Sequence, residues 1–345
     1  MMTQEMPMDA KELRVRVDAS GLAFVTLDRP EVHNAFDEAQ IERLTRVFES
    51  LAENATVRAV VLRGAGRHFC AGADIGWMRR ASQAGEEANL EDARRFSRMM
   101  NAVAACPKPV VAVVQGAAYG GGMGLVCAAD IVLAAEDARF ALTEAKFGIL
   151  PAVVGPYVVN AIGRRQAMEL ALTCRTLSAP QAHAIGLVHR IAPAEALDAA
   201  LLDILRSLQR SGPAALREIK TLFGRLSAQP IDDAIAELTA RTIARVRATA
   251  EAREGFAAFV GKREPGWLSE PRLAEPPEAG APPSPERFWA WWCRSGDSPY
   301  VYKVLDSELV RFVHYAAIER VDKETGEREV FATVILTKTF RRGPT

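Results

Sequence analysis

The amino-acid sequence predicts an α/β fold: a largely parallel sheet covered by helices, continued by an all-helical segment and ending in a small β-containing appendage. Three observations lead there. Strand-length runs without a polar residue, Ala59-Val60-Val61-Leu62 and Val110 to Val114, alternate with helical patterns, as in parallel strands joined by crossover helices. From about Pro193 to Val260 the pattern is helical, with breaks at Gly212-Pro213 and Pro230. Beyond Pro265 the composition changes.

Leu13 to Val17 and Leu22 to Leu27 are short strand-like runs around Ser20-Gly21, an antiparallel pair. Asp37 precedes a helical pattern to about Leu51 that puts Ile41, Leu44, Val47 and Phe48 on one face. The first buried strand then runs into a loop, Gly64 to Gly72. A helix from about Asn89 to Ala105 leads through Pro107 and Pro109 into the second. Residues 265–285 hold seven prolines and read as an extended linker. Past it, Phe288 to Trp292 forms an aromatic cluster that reads as a hydrophobic anchor. Leu309 to Val321 and Arg328 to Phe340 read as strands, with Asp322 to Glu327 as a hairpin turn.

Composition narrows the function classes. Lys+Arg and Asp+Glu both number 43, so no long-range field favours nucleic acid or an anionic membrane surface. No apolar stretch is long enough for membrane insertion as a helix, and Met1 to Glu12 lacks the apolar core of a secretory signal. The five cysteines show no paired spacing, which fits a reduced, cytoplasmic setting. They and the five histidines supply no metal-ligand spacing, so the expected metal is none.

Two glycine-rich loops follow the two buried strands: His68-Phe69-Cys70-Ala71-Gly72-Ala73-Asp74-Ile75, and Gln115 to Leu125 with Gly120-Gly121-Gly122. Successive glycines let a backbone adopt positive φ and approach a ligand, presenting N–H groups at a helix start. A tight strand-to-helix turn would use the same residues. Neither GxxxxGK[ST] nor GxGxxG is matched, which disfavours a phosphate-cradling loop. Glu144, between apolar stretches, reads on its own as a surface or capping residue.

The pair CAGAD (70–74) and AAYGGGMGL (117–125) resembles the signature of the crotonase, or enoyl-CoA hydratase/isomerase, superfamily. Asp28-Arg29-Pro30, Asn34-Ala35-Phe36 and Phe259 to Arg263 extend the likeness over roughly Glu12 to Trp267. The resemblance implies a spiral of ββα units over residues 1–191 and a helical trimerisation segment over 192–264. The linker then spans 265–287 and an aromatic-rich hairpin appendage 288–345. It implies a CoA-thioester substrate with no bound cofactor, and a homotrimer or homohexamer. It also implies that the backbone N–H groups of Ala73 and Gly121 hold the thioester oxygen and that Glu144 is an acid/base. The same resemblance implies substrate and CoA contacts at His33, Ala71, Asp74, Ile75, Gly120, Gly124 and Lys262.

One departure bears on the reaction. Hydratases of the family carry a second carboxylate at the position of Gly124, and a glycine offers no proton. A single carboxylate favours double-bond isomerisation. However, CAGADIGWMR (70–79), GGGMGL and residues 142–163 resemble the bacterial methylglutaconyl-CoA hydratase branch, which also has glycine there. Hydration is therefore the leading expectation, with isomerisation by Glu144 alone and non-catalytic acyl-CoA binding as alternatives. The Trp77-Met78-Arg79-Arg80 run is expected to close the acyl pocket, with Arg79 or Arg80 facing a distal substrate carboxylate, or else to be a solvated helix start.

Overall fold

The computed structural model describes residues 12–226, 231–269, 271, 300–310, 313–322 and 328–335. The chain forms two compact units, Met1–Leu273 and Ala274–Thr345.

In the first unit, β1 (Leu13–Val17) pairs antiparallel with β2 (Leu22–Leu27), Val15 opposite Val25. The turn is held by the Asp18 carboxylate, which accepts from the backbone N–H groups of Ser20 and Leu22. α1 (Glu38–Glu53) starts at Asp37, whose side chain accepts from Gln40 N at 2.9 Å. It buries Ile41, Leu44, Val47, Phe48 and Leu51, the face its apolar spacing predicts. There follow β3 (Ala59–Gly64), α2 (Ile75–Gln83), α3 (Glu86–Ala104), β4 (Val110–Val114), β5 (Ala117–Tyr119) and α4 (Gly121–Ala128). Next come β6 (Ile131–Ala135), β7 (Arg139–Ala141), α5 (Gly155–Thr173), β8 (Leu177–Ser178), α6 (Ala179–Ala184) and β9 (Arg190–Ala192).

The main sheet has the order β1-β2-β3-β4-β6-β9 and is parallel from β2 onward. Its strands are apolar because both faces are covered. Val60, Leu62, Ala112 and Val114 face the core shared with α1, α3 and α4. Their neighbours Ala59, Val61, Val111 and Val113 pack against Leu201, Ile204 and Leu205 of α7 (Leu197–Arg210). A second sheet, β5-β7-β8, pairs β5 parallel with β7. The architecture is thus mixed α/β with a helical C-terminal region, as expected.

The helical region continues as α8 (Pro213–Leu226), α9 (Asp233–Arg247) and α10 (Ala250–Val260). The sequence marks the breaks at Gly212-Pro213 and Pro230 but not the one at Thr249, whose hydroxyl caps α10 by accepting from Ala252 N. α8 and α9 bury no residue among those described, and α10 buries only Ala258.

The second unit is a three-stranded antiparallel sheet of β10 (Tyr300–Val310), β11 (Val313–Asp322) and β12 (Arg328–Ile335). The sequence reading takes Leu309 to Val321 as one strand. The chain instead reverses, with Val310 opposite Val313, and β10 is a third strand. No Gly, Pro, Asn or Asp marks that reversal. The expected turn at 323–327, the aromatic cluster 288–292 and most of the linker lie outside the described residues.

Candidate active site

Because β3 and β4 are parallel neighbours, the loops after them emerge at the same end of the sheet. Backbone hydrogen bonds then zip the loops together: Phe69 N to Gln115 O at 2.9 Å, Cys70 N to Ala117 O at 3.0 Å, and Tyr119 N to Cys70 O at 3.0 Å. The far side of the first loop is held by Phe36, whose N–H donates to Gly72 O and whose carbonyl accepts from Asp74 N. In such a parallel bridge Phe36 spends its bonds on the residues flanking Ala73, so Ala73 N–H faces away from it. It has no acceptor among the described residues. Gly121 N–H, at the first position of α4, has none either. The two donors are neighbours, since a Cβ built on Gly72 would lie 3.6 Å from Gly121 N.

The glycine run works differently from the sequence reading. Only Gly120 has positive φ, at 51°; Gly121 and Gly122 are helical. Their lack of a side chain is demanded by packing: a Cβ on Gly121 would meet Phe36 Cζ at 2.3 Å, and one on Gly122 would meet Cys70 O at 2.3 Å.

Glu144 begins a short 3-10 turn (Glu144–Phe147) after β7. Its Oε1 would lie 3.3 Å from a Cβ on Gly120, so it abuts the start of α4. Its Oε2 is buried and has no hydrogen-bond partner. Burial raises its pKa above the ordinary carboxylate value. A half-buried carboxyl with one bare oxygen, beside two unused backbone donors, is equipped for proton transfer next to a developing oxyanion.

Gly124 lies on α4 and is buried against α5's approach: a Cβ there would meet Val154 Cγ1 at 2.4 Å and Met100 Cε at 3.3 Å. Val154 therefore fills the volume that a side chain at 124 would need. Asp74, expected at the substrate, spends its carboxylate structurally. It caps α2, accepting from Gly76 N at 2.8 Å and Trp77 N at 3.3 Å, and pairs with Arg29 at 3.5 Å. Arg29 also pairs with Asp37 at 3.0 Å, tying α1 to the loop. Ala71 N–H is taken by His33 O at 3.0 Å, and Ile75 is exposed. Lys262, just past α10, has positive φ and donates its N–H to Phe259 O. It makes no bond to the loops among the described residues.

Three supports have structural roles that sequence reasoning does not assign. Asn34 is 2% exposed, and its amide donates to Ala65 O at 2.8 Å and His68 O at 2.7 Å while accepting from Arg29 N. Phe36, Trp77 and Phe96 form an aromatic cluster with centroids 5.4–6.3 Å apart beside Gly121. Its members are about 20 to 60 residues apart in sequence, so no local pattern unites them. Arg80 is held by Glu38 at 2.7 Å, whereas Arg79 makes no ion pair among the described residues.

His68 packs edge-on to His33 and accepts at Nδ1 from Ala117 N at 3.0 Å. His189 accepts likewise from Val132 N at 3.0 Å. Both roles need the neutral ring, and desolvation lowers both pKa values below the ordinary 6.5. The folded state thus binds fewer protons than the unfolded chain around and below that pH. Stability is therefore expected to be full above about 6.5 and to decline as pH falls through and below it. Tm measured from pH 8 to 5 checks this, and His68→Asn, which keeps an acceptor but cannot charge, should flatten the decline.

No group of three His, Cys, Asp or Glu able to hold a metal occurs among the described residues, and no described helix is long and apolar enough to cross a membrane.

Residues 18–270 match the family model described as Enoyl-CoA hydratase/isomerase. A putative enoyl-CoA hydratase of Thermus thermophilus is 37% identical over 252 residues, covering 73% of this chain and 99% of the relative. A 1,2-epoxyphenylacetyl-CoA isomerase of Escherichia coli is 32% identical, covering 72% and 96%. The crystal structure of an enoyl-CoA hydratase from Shewanella pealeana superposes with TM-score 0.73 at 37% identity, covering 75% of this chain and 97% of that one.

Proposed function

Since this chain belongs to the enoyl-CoA hydratase/isomerase family, whose members act on CoA thioesters with no required cofactor, we propose that it hydrates the double bond of an enoyl-CoA. The observation that carries this reading is the buried, unpartnered Glu144 Oε2 beside the unused N–H groups of Ala73 and Gly121. Water oxygen bonds to the β-carbon as the π electrons move toward the carbonyl, and the thioester oxygen becomes an enolate held by those two N–H groups. Glu144 takes the water proton and returns it to the α-carbon, which restores the carbonyl. Fixed backbone dipoles stabilise the enolate without reorganising, and one such donor is worth about 2.7–4 kcal/mol. The reverse dehydration uses the same groups.

A second reading has specific support: with Gly124 unable to supply another carboxylate, Glu144 alone can shuttle a proton between α and γ carbons. For the acyl group we favour a branched glutaconyl thioester such as 3-methylglutaconyl-CoA. Arg79, exposed midway along α2, is the cation available for a distal carboxylate, Arg80 being tied to Glu38. His33, Ala71 and Lys262 are assigned to the CoA moiety. The deciding experiment incubates purified protein with enoyl-CoA esters, 3-methylglutaconyl-CoA included, and identifies products by mass spectrometry. A gain of one water supports hydration; an isomer of unchanged mass supports the second reading; no turnover of any ester overturns both.

We also assign the helical segment to self-assembly as a trimer or hexamer, in a cytoplasmic setting. Its support is apolar exposure on elements that bury almost nothing: Phe256, Phe259 and Val260 on α10, Phe259 at 84%. Sedimentation is expected to give three or six times the 37.5 kDa chain mass. A monomer would refute it.

A further inference from the structure

A cleft of about 350 Å³ lies at the opposite end of the main sheet from the candidate active site. It is lined by residues that precede β3 and β4, whereas the glycine loops follow those strands. Strands of five or six residues separate the two by roughly 17–20 Å. Among its walls are Arg58, Lys108, Arg217, Glu251 and Trp267.

Among the described residues three cations there face one carboxylate, Glu251, whose charge acts on Arg58. Glu251 accepts from Ala214 N and Ala215 N at 2.9 Å each, capping α8. Lys108 is only 6% exposed, yet among the described residues its ammonium donates only to the neutral carbonyl of Asn54, at 3.0 Å. The nearby Asp130 carboxylate is held by Lys220 at 2.6 Å. Arg217 makes no side-chain hydrogen bond or ion pair among the described residues, and Glu218, which feels its charge, is bonded twice to Arg245. Desolvation and the Arg217 charge push the Lys108 pKa down. Arg58 adds a buried Nε with no acceptor, although its other nitrogens donate to Trp267 O, Ser269 Oγ and Gln209 O.

Burying an ammonium beside a second cation without a counter-ion is costly, and an anion in the cleft removes that cost. We propose that this cleft binds a small anionic molecule through a phosphate or carboxylate head placed between Lys108 and Arg217, its body lying along the wall that Trp267 forms. The site is separate from the thioester chemistry and does not depend on the activity assigned above.

The test uses the full chain, titrated calorimetrically with inorganic phosphate and, separately, with citrate, at ionic strength matched by NaCl. At least one is expected to bind saturably and to raise Tm above the chloride control; which one does so identifies the head group. Arg217 is exposed, so Arg217→Gln leaves the fold intact. It should weaken that binding by about tenfold or more, as loss of a charged hydrogen-bond partner does. Arg165→Gln on α5, remote from the cleft, should retain it, and enoyl-thioester turnover should be unchanged in both. Absence of saturable binding by either anion overturns the proposal. So does binding of wild-type strength in Arg217→Gln, which would assign the anion to another place.

Discussion

Glu144→Gln is expected to lower kcat by about 10²–10⁴-fold while leaving CoA-ester binding close to wild type. Gln keeps the shape and removes the titrating proton, so what is lost is transfer to and from the substrate. Burial raises the Glu144 pKa, and the acid limb of the wild-type pH–rate profile is therefore expected to lie above the ordinary carboxylate value near 4.5. That limb should vanish from the residual activity of the variant. Stopped-flow absorbance of the enoyl thioester measures both. A variant within a few-fold of wild type would move the acid/base role to another titrating group or to water.

Gly124→Glu is expected to damage the fold rather than to supply a second carboxylate. Its Cβ alone would sit 2.4 Å from Val154 Cγ1, deep in the α4 contact. Overpacking costs about 1–3 kcal/mol, and a buried carboxyl without a partner costs about 1–3 kcal/mol more. Urea unfolding should show a lower midpoint with an unchanged slope. Gly124→Glu combined with Val154→Ala should recover part of that loss, because the closest colliding atom, Val154 Cγ1, is then gone and only the 2.8 Å approach of Val154 Cβ remains. A single variant as stable as wild type would mean that Val154 does not fill this space.

The two substitutions also mark how far the sequence could be read. The sheet was legible because its strands are apolar on both faces, and α1 because Ile41, Leu44, Val47 and Phe48 keep helical spacing behind an Asp cap. Glu144 was legible only through resemblance, since nothing local distinguishes it from a surface acid. Val154 was not legible: its meeting with Gly124 spans 30 positions and depends on how α5 approaches α4. Asp74 has a local role that the sequence reading did not assign. Its position ahead of Ile75-Gly76-Trp77 is an N-cap pattern, and that local role, with Arg29, takes the carboxylate. The break before α10 was missed because Thr249 interrupts the helix without glycine or proline.

In the proposed function the donors that face the thioester belong to the main chain, and such a site has an unusual relation to heritable variation. No codon change deletes the N–H of Ala73 or Gly121 except one to proline, which would also remake the backbone around it. Mutation reaches these donors only through neighbours: Phe36 behind both loops, Asn34 beneath the first, and the glycines whose missing side chains permit the approach. A saturation-mutagenesis map of this protein should therefore show tolerance of small residues at Ala73 itself and sharp intolerance at Gly72, Gly121 and Asn34. The donor itself can be removed cleanly only by chemical protein synthesis, replacing a single amide with an ester.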